Sequence, residues 1–129
     1  MIKLSSHIDK TPMFFILGRP RSGTTLLASL MDAHPNVILP FECPLIINLC
    51  NKYSNITDWN EKLIKEFSND VFNQRKFDSW RLTEKEIFDH LMKFSGKISF
   101  ENIIKALYLR FNSFFEKGEI KIIGDKNSS

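Results

Sequence analysis

Apolar residues along the chain fall into a few well-separated patterns. Met13-Phe14-Phe15-Ile16-Leu17 is an uninterrupted apolar run without alternation, which predicts a strand buried on both faces, as in a parallel sheet. Leu26, Leu27, Leu30 and Met31 follow with helical spacing and predict a helix from Thr24 to Ala33. His34-Pro35 ends it, because the residue before a proline disfavours the helical region. Val37-Ile38-Leu39 reads as a short extended piece, and the apolar stretch after Pro44 opens another helix. Asp58-Trp59-Asn60-Glu61 reads as a capping box followed by a helix to about Phe67; Thr83-Glu84-Lys85-Glu86 reads as a second, opening a helix over Ile87 to Phe94. The longest helix is predicted from Ser99, with a stripe of Phe100, Ile103, Ile104, Leu107, Phe111, Phe114 and Phe115, stopped by Gly118. Glu119-Ile120-Lys121-Ile122-Ile123 reads as a second strand, which the chain leaves at Gly124-Asp125-Lys126-Asn127.

A strand, a glycine loop, a helix, further helices and a second strand describe the start of an α/β fold. Two strands are fewer than the four or more of an ordinary doubly wound sheet. The expectation is therefore that residues 1–129 are the N-terminal part of a single, larger domain.

Composition changes this picture little. The chain has 129 residues, 43% hydrophobic and 26% charged, with 12 Phe; that is ample for a core and unlike a disordered chain. The formal charge of +3 is small and scattered, so nucleic acid is not an expected partner. The longest apolar run is far short of a membrane span, and the polar first residues lack the form of a signal peptide. Cys43 and Cys50 fit no zinc or redox spacing and read as two buried thiols of a cytoplasmic protein.

The chemistry lies in Phe14 to Thr25. A strand delivers the chain into Gly18-Arg19-Pro20-Arg21-Ser22-Gly23, and a helix begins as this loop closes. Backbone N–H groups of such a loop, together with the positive end of the helix, make a cradle for a phosphate-like anion. Thr24 and Thr25 add hydroxyl donors. The Gly-x4-Gly spacing is that of nucleotide-triphosphate loops, but Thr24 stands where those loops carry lysine, and the cation is Arg21. A donor with a single phosphate anhydride carries less charge there and needs no metal.

Gly18-Arg19-Pro20-Arg21-Ser22-Gly23-Thr24-Thr25-Leu26-Leu27 closely resembles the 5′-phosphosulfate loop of sulfotransferases. Met31-Asp32-Ala33-His34-Pro35 and Gly124-Asp125-Lys126 are also similar to that family. The Pro-Arg-Ser-Gly-Thr-Thr form resembles the branch that includes tyrosyl-protein and many bacterial sulfotransferases. The resemblance implies a P-loop NTPase-like parallel sheet flanked by helices, present here as its N-terminal part. It also implies 3′-phosphoadenosine-5′-phosphosulfate as donor, no metal, and an acceptor bearing a hydroxyl. Carried over by position, Arg21, Ser22, Gly23, Thr24 and Thr25 would bind the phosphosulfate. Glu42 would be the base that takes the acceptor's proton, and Lys126 would stabilise the transferring group.

The residues leave other readings open. Glu42 could be a solvated loop residue between Pro40 and Pro44, and Lys126 a surface lysine. His34 could serve as base, although a capping role before Pro35 suits its position better. A P-loop kinase with Asp125 as its Mg²⁺-linked acid, or an inactive remnant that keeps its anion loop, are the alternatives in kind. Gly-Asp-Lys-Asn-Ser replaces the family's usual Gly-Asp-Lys-Pro, and the residues that bind the donor's 3′-phosphate are not in this sequence.

Overall fold

The computed structural model describes residues 7–18 and 24–128. Strand β1 (Met13–Gly18) leads to helix α1 (Thr24–Asp32), and β2 (Val37–Ile38) follows. Then come α2 (Leu45–Tyr53), β3 (Asp58–Trp59), α3 (Glu61–Phe72) and a 3₁₀ turn over Phe77–Trp80. The chain finishes with α4 (Glu84–Met92), β4 (Gly96–Lys97), α5 (Phe100–Leu109) and β5 (Ile122–Ser128). The fold is α/β: β1, β5 and β2 form a parallel sheet in the order β1-β5-β2, and β3 and β4 form a small antiparallel ladder.

The last strand is thus the middle one. It starts later than the sequence suggests and runs on through Gly124-Asp125-Lys126-Asn127, which was expected to leave the sheet. The register explains why: β1 pairs with β5 from Met13↔Ile123 to Gly18↔Ser128. Parallel pairing along β1 supplies backbone partners to these polar residues, and their side chains find their own. Gly124 sits under the ring of Phe14, where a Cβ would come within 2.5 Å of Cζ.

The expectation that β1 is buried on both faces fails among the described residues. Phe15 and Leu17 are 58% and 73% exposed. They share a sheet face with Ile123, Asp125 and Asn127 of β5, because paired residues point the same way. Helix α5 packs on β5 and buries its half of that face, while the β1 half stays open.

Helix α5 is capped by Ser99, whose hydroxyl accepts from Asn102 N, as the sequence suggests, but it ends at Leu109 rather than continuing to 117. Polar side chains capture the chain there: Ser113 Oγ accepts from Phe115 N, and Asn112 exchanges hydrogen bonds with Arg81. Phe111 turns back into the core, whereas Phe114 and Phe115 stay exposed. At α3 the N-cap is Asn60, accepting from Leu63 N, rather than Asp58, which lies in β3; the helix also runs past Phe67 to Phe72. The Thr83–Glu86 capping box is formed with both of its hydrogen bonds.

One core joins the helices to the sheet, with Tyr53, Trp59, Phe67, Ile87, Leu107 and Ile123 fully buried. A row of edge-to-face aromatic contacts extends from it: Tyr108 meets Trp80, Trp80 meets Phe111, and Phe111 meets Phe41. Phe41 precedes Glu42, so this row carries the core's rigidity to the candidate site. Of the two cysteines, Cys43 is buried but Cys50 is only half-buried, contrary to the pairwise expectation; both are free thiols. No helix among the described residues is long and apolar enough to cross a membrane.

Candidate functional site

Arg21, Ser22 and Gly23 lie outside the described residues. Their loop is bracketed by what is described: Gly18 ends β1 and Thr24 with Thr25 opens α1. A strand therefore ends, and a helix N-terminus begins, on either side of the five-residue gap, the arrangement an anion loop requires.

Glu42 is positioned by its neighbours. Asp32 Oδ1 accepts from Leu39 N at 2.8 Å, and Phe41 O accepts from the indole of Trp80 at 2.8 Å. Cys43 is buried, its thiol donating to Arg75 O. Burial is the main cause that pushes this thiol up to about 12. The extended piece from Leu39 to Cys43 is thus tied down on both sides of Glu42.

Lys126 reaches Glu42 from β5. Its Nζ lies 3.2 Å from Oε1, while Lys76 Nζ lies 2.8 Å from Oε2. The side chains of Glu42 and Lys126 are 18% and 12% exposed, so this is a sheltered pair; Lys76 is half in solvent. Lys76 carried no signal in the sequence, because it lies in a segment without a motif. It adopts a left-handed backbone at the start of the 3₁₀ turn, which aims it back at Glu42.

Lys126 pairs with Ile16, and Ser128 with Gly18. Two strand residues, about 6.6 Å, separate Lys126 from the level at which the loop leaves β1. Pleating sends Lys126 to one sheet face and Asp125 to the other. Asp125 is buried there, accepting from Tyr108 Oη at 2.6 Å and from Asn127 Nδ2 at 2.7 Å. Burial raises its carboxyl above the ordinary value, against the pull of those two hydrogen bonds. Burial likewise holds the Tyr108 phenol well above its usual range. Asp125 is committed to the core, on the face away from Glu42, which suits it poorly to the metal-linked role of a kinase acid.

His34 caps a turn: its Nδ1 accepts from Asn36 N at 3.1 Å. Asp32, from the same sequence motif, is the structural residue of that region. It also takes the Ser113 hydroxyl at 2.7 Å and the Lys117 ammonium at 3.1 Å. Lys117 donates as well to the carbonyls of Asp32, His34 and Val37, closing the C-terminal end of α1.

A cleft of about 440 Å³ opens beside the Glu42–Lys126 pair, with Ser29 of α1, Leu39, Phe41, Phe114 and Phe115 in its walls. The end of β1, helix α1, a sheltered carboxylate–ammonium pair and a cleft thus adjoin. A profile of the Sulfotransferase family matches residues 12–114, most of the chain and all of α1 to α5. The chain belongs to the sulfotransferase family. Among curated relatives it is similar to protein-tyrosine sulfotransferase A of Caenorhabditis elegans, 37% identical over 67 residues, 49% of this chain and 18% of that protein. It is 49% identical over 35 residues to the Drosophila melanogaster protein-tyrosine sulfotransferase, 27% of this chain and 7% of that protein. The nodulation protein NoeE of Sinorhizobium fredii is 45% identical over 47 residues, 36% of this chain and 11% of that protein. The matched part of this sulfotransferase-family chain spans less than a fifth of each of these relatives. No solved structure matches it.

Proposed function

We propose that residues 1–129 form the N-terminal, donor-loop part of a single sulfotransferase domain. The domain transfers a sulfuryl group from 3′-phosphoadenosine-5′-phosphosulfate to an acceptor hydroxyl. The observation that carries this reading is the Glu42–Lys126 pair, 3.2 Å apart, beside a cleft and close to the end of β1. Family membership supports the reaction class, and the strand end followed by a helix N-terminus suits an anionic donor.

The donor supplies an activated sulfuryl group, whose transfer leaves an adenosine bisphosphate. The loop residues Arg21, Ser22, Gly23, Thr24 and Thr25 hold the phosphosulfate by charge and by amide and hydroxyl donors. Lys126 offsets negative charge that develops on the oxygen left behind. Glu42 accepts the acceptor's hydroxyl proton as that oxygen bonds to sulfur. Lys76 and Lys126 orient the two carboxylate oxygens, and Lys126 links the base to the leaving side. The free thiols of Cys43 and Cys50 accord with a reducing, cytoplasmic location.

The test uses the full-length protein. Calorimetry with 3′-phosphoadenosine-5′-phosphate should give the same binding with and without EDTA, and a labelled donor should yield a sulfated acceptor. Binding that strictly required Mg²⁺ would overturn the proposal in favour of a nucleotide-triphosphate enzyme.

A further inference from the structure

Three consecutive residues, Phe41, Glu42 and Cys43, are each met by one residue of a single short segment. Phe41 O accepts from the Trp80 indole N–H at 2.8 Å, Lys76 Nζ lies 2.8 Å from Glu42 Oε2, and the Cys43 thiol donates to Arg75 O at 3.4 Å. The partners lie 32 to 39 positions away in the chain, so packing rather than local propensity joins them.

The segment that makes these contacts is held in an unfavourable backbone. Among the described residues, Lys76 and Arg81 are the two non-glycine residues in the left-handed region, with φ of 71° and 57°, and they flank the 3₁₀ turn over Phe77–Trp80. A side chain in that region costs free energy, and the conformation persists only where surrounding contacts over-determine it. Those contacts are the three bonds to residues 41–43 and, inside the segment, the Ser79 hydroxyl donating to Lys76 O at 2.8 Å. Trp80 is its fixed point. Its ring is 1% exposed and packs against Phe77, Tyr108 and Phe111 with centroids 5.0 to 5.5 Å apart. Tyr108 in turn donates to Asp125, the residue before Lys126.

We propose that Trp80 is a positioning residue that acts through Glu42: its indole N–H fixes the peptide plane leading into Glu42 and so sets the direction of that carboxylate. This rests on the reading of Glu42 as the base of a sulfuryl transfer. Phe41 O and Glu42 N–H belong to one planar unit, so a bond to the oxygen orients the whole plane and the Glu42 Cα with it. The Phe41 side chain is 42% exposed and does not fix that plane by burial, whereas Cys43, on the far side of Glu42, is buried. Lys76 acts differently. It closes on the carboxylate from a half-exposed position, and its removal leaves the backbone aim in place. A base must stand within hydrogen-bond reach of the proton it takes, and a misplacement of about 1 Å can cost about a hundredfold in rate.

The test is made on the full-length protein. Trp80→Phe removes the N–H and keeps most of the ring. Benzothienylalanine at position 80, with sulfur in place of the N–H, removes the donor at nearly constant shape and serves if Trp80→Phe melts too low to assay. Either replacement should lower kcat by about tenfold to a hundredfold, leave KM within about threefold and leave binding of 3′-phosphoadenosine-5′-phosphate unchanged. In a Glu42→Gln background the same replacement should change residual turnover by less than about twofold, because the residue it acts through is already disabled. An equal loss in both backgrounds would make Trp80 merely structural and overturn the proposal. Carboxyl ¹³C NMR of glutamate-labelled protein gives a readout without turnover, the Glu42 signal being the one lost in Glu42→Gln. That signal should shift or broaden in the Trp80 variants, and an unmoved signal overturns the positioning role. A moved signal in a protein that transfers no sulfuryl group would keep the positioning role and sink the sulfotransferase reading. Sulfuryl transfer at wild-type kcat in both Trp80 variants would do the reverse.

Discussion

Glu42 and Lys126 are 84 positions apart in the chain and meet at 3.2 Å. The contact exists because β5 inserts between β1 and β2, which brings the Gly124-Asp125-Lys126 segment beside the piece that follows β2. Lys76 then closes on the other carboxylate oxygen.

Glu42→Gln should lower turnover by about 10²–10⁴-fold while leaving binding of 3′-phosphoadenosine-5′-phosphate nearly unchanged. The amide preserves shape but cannot take the acceptor's proton. Single-turnover kinetics beside calorimetry on the full-length protein separate the two quantities; loss of donor binding would move Glu42 from base to scaffold.

Lys126 and Lys76 contact the same carboxylate but should differ in effect. Lys126→Met removes a sheltered cation near the end of β1 and should cost about 10²–10³-fold in kcat. Lys76→Met removes a half-exposed partner and should cost about threefold or less, in line with the modest worth of solvent-exposed ion pairs. Comparing kcat for the two variants checks the ordering, and equal losses would contradict it.

Lys117→Met should destabilise the fold by about 2–3 kcal/mol in urea titration. The substitution leaves the buried Asp32 carboxylate without its cation and three carbonyls without their donor. The more conservative Lys117→Arg should recover part of that loss.

Asp125 makes stability depend on pH with a definite sign. Its carboxyl titrates above the ordinary 3.8 in the folded protein, chiefly through burial. The folded state therefore binds more protons than the unfolded one between that ordinary value and the raised one. Its contribution is greatest below 3.8 and is lost as pH rises through the raised value. Asp125→Asn should remove this fall, which urea titrations between about pH 3.5 and 7 would reveal as a flatter profile. An unchanged profile would assign the dependence to other carboxyls.

Local patterns were enough for much of the fold. The apolar run of β1, the His34-Pro35 stop after α1 and the Thr83 and Ser99 caps are set by neighbours within a few residues, so spacing and residue type suffice. The glycine motif and its arginine were read from consecutive residues in the same way; Arg21, Ser22 and Gly23 lie outside the described residues, and their role as an anion cradle is part of the proposal. Where nonlocal partners compete with local propensity, the reading slipped. The apolar stripe of α5 continues through Phe111 and Phe115, yet Arg81, Asp32 and Ser113 draw the backbone out of the helix after Leu109. Glycine and polar residues after Ile123 look like the end of a strand, yet pairing with β1 and the bonds of Asp125 to Tyr108 and Asn127 keep them in it.

The sequence by itself determined the order of the helices and of β1, β2 and β5, and it named the loop motif and the two residues proposed for the reaction. Only the tertiary structure decided that Glu42 and Lys126 form a pair, that Lys76 joins them and that Phe114 and Phe115 stand over the cleft. Hydrophobic periodicity and capping act over one turn or one strand, and are therefore written in neighbouring residues. Ion pairs and cleft walls are made between distant parts of the chain, and their geometry is fixed only when the sheet order and the packing of its helices are.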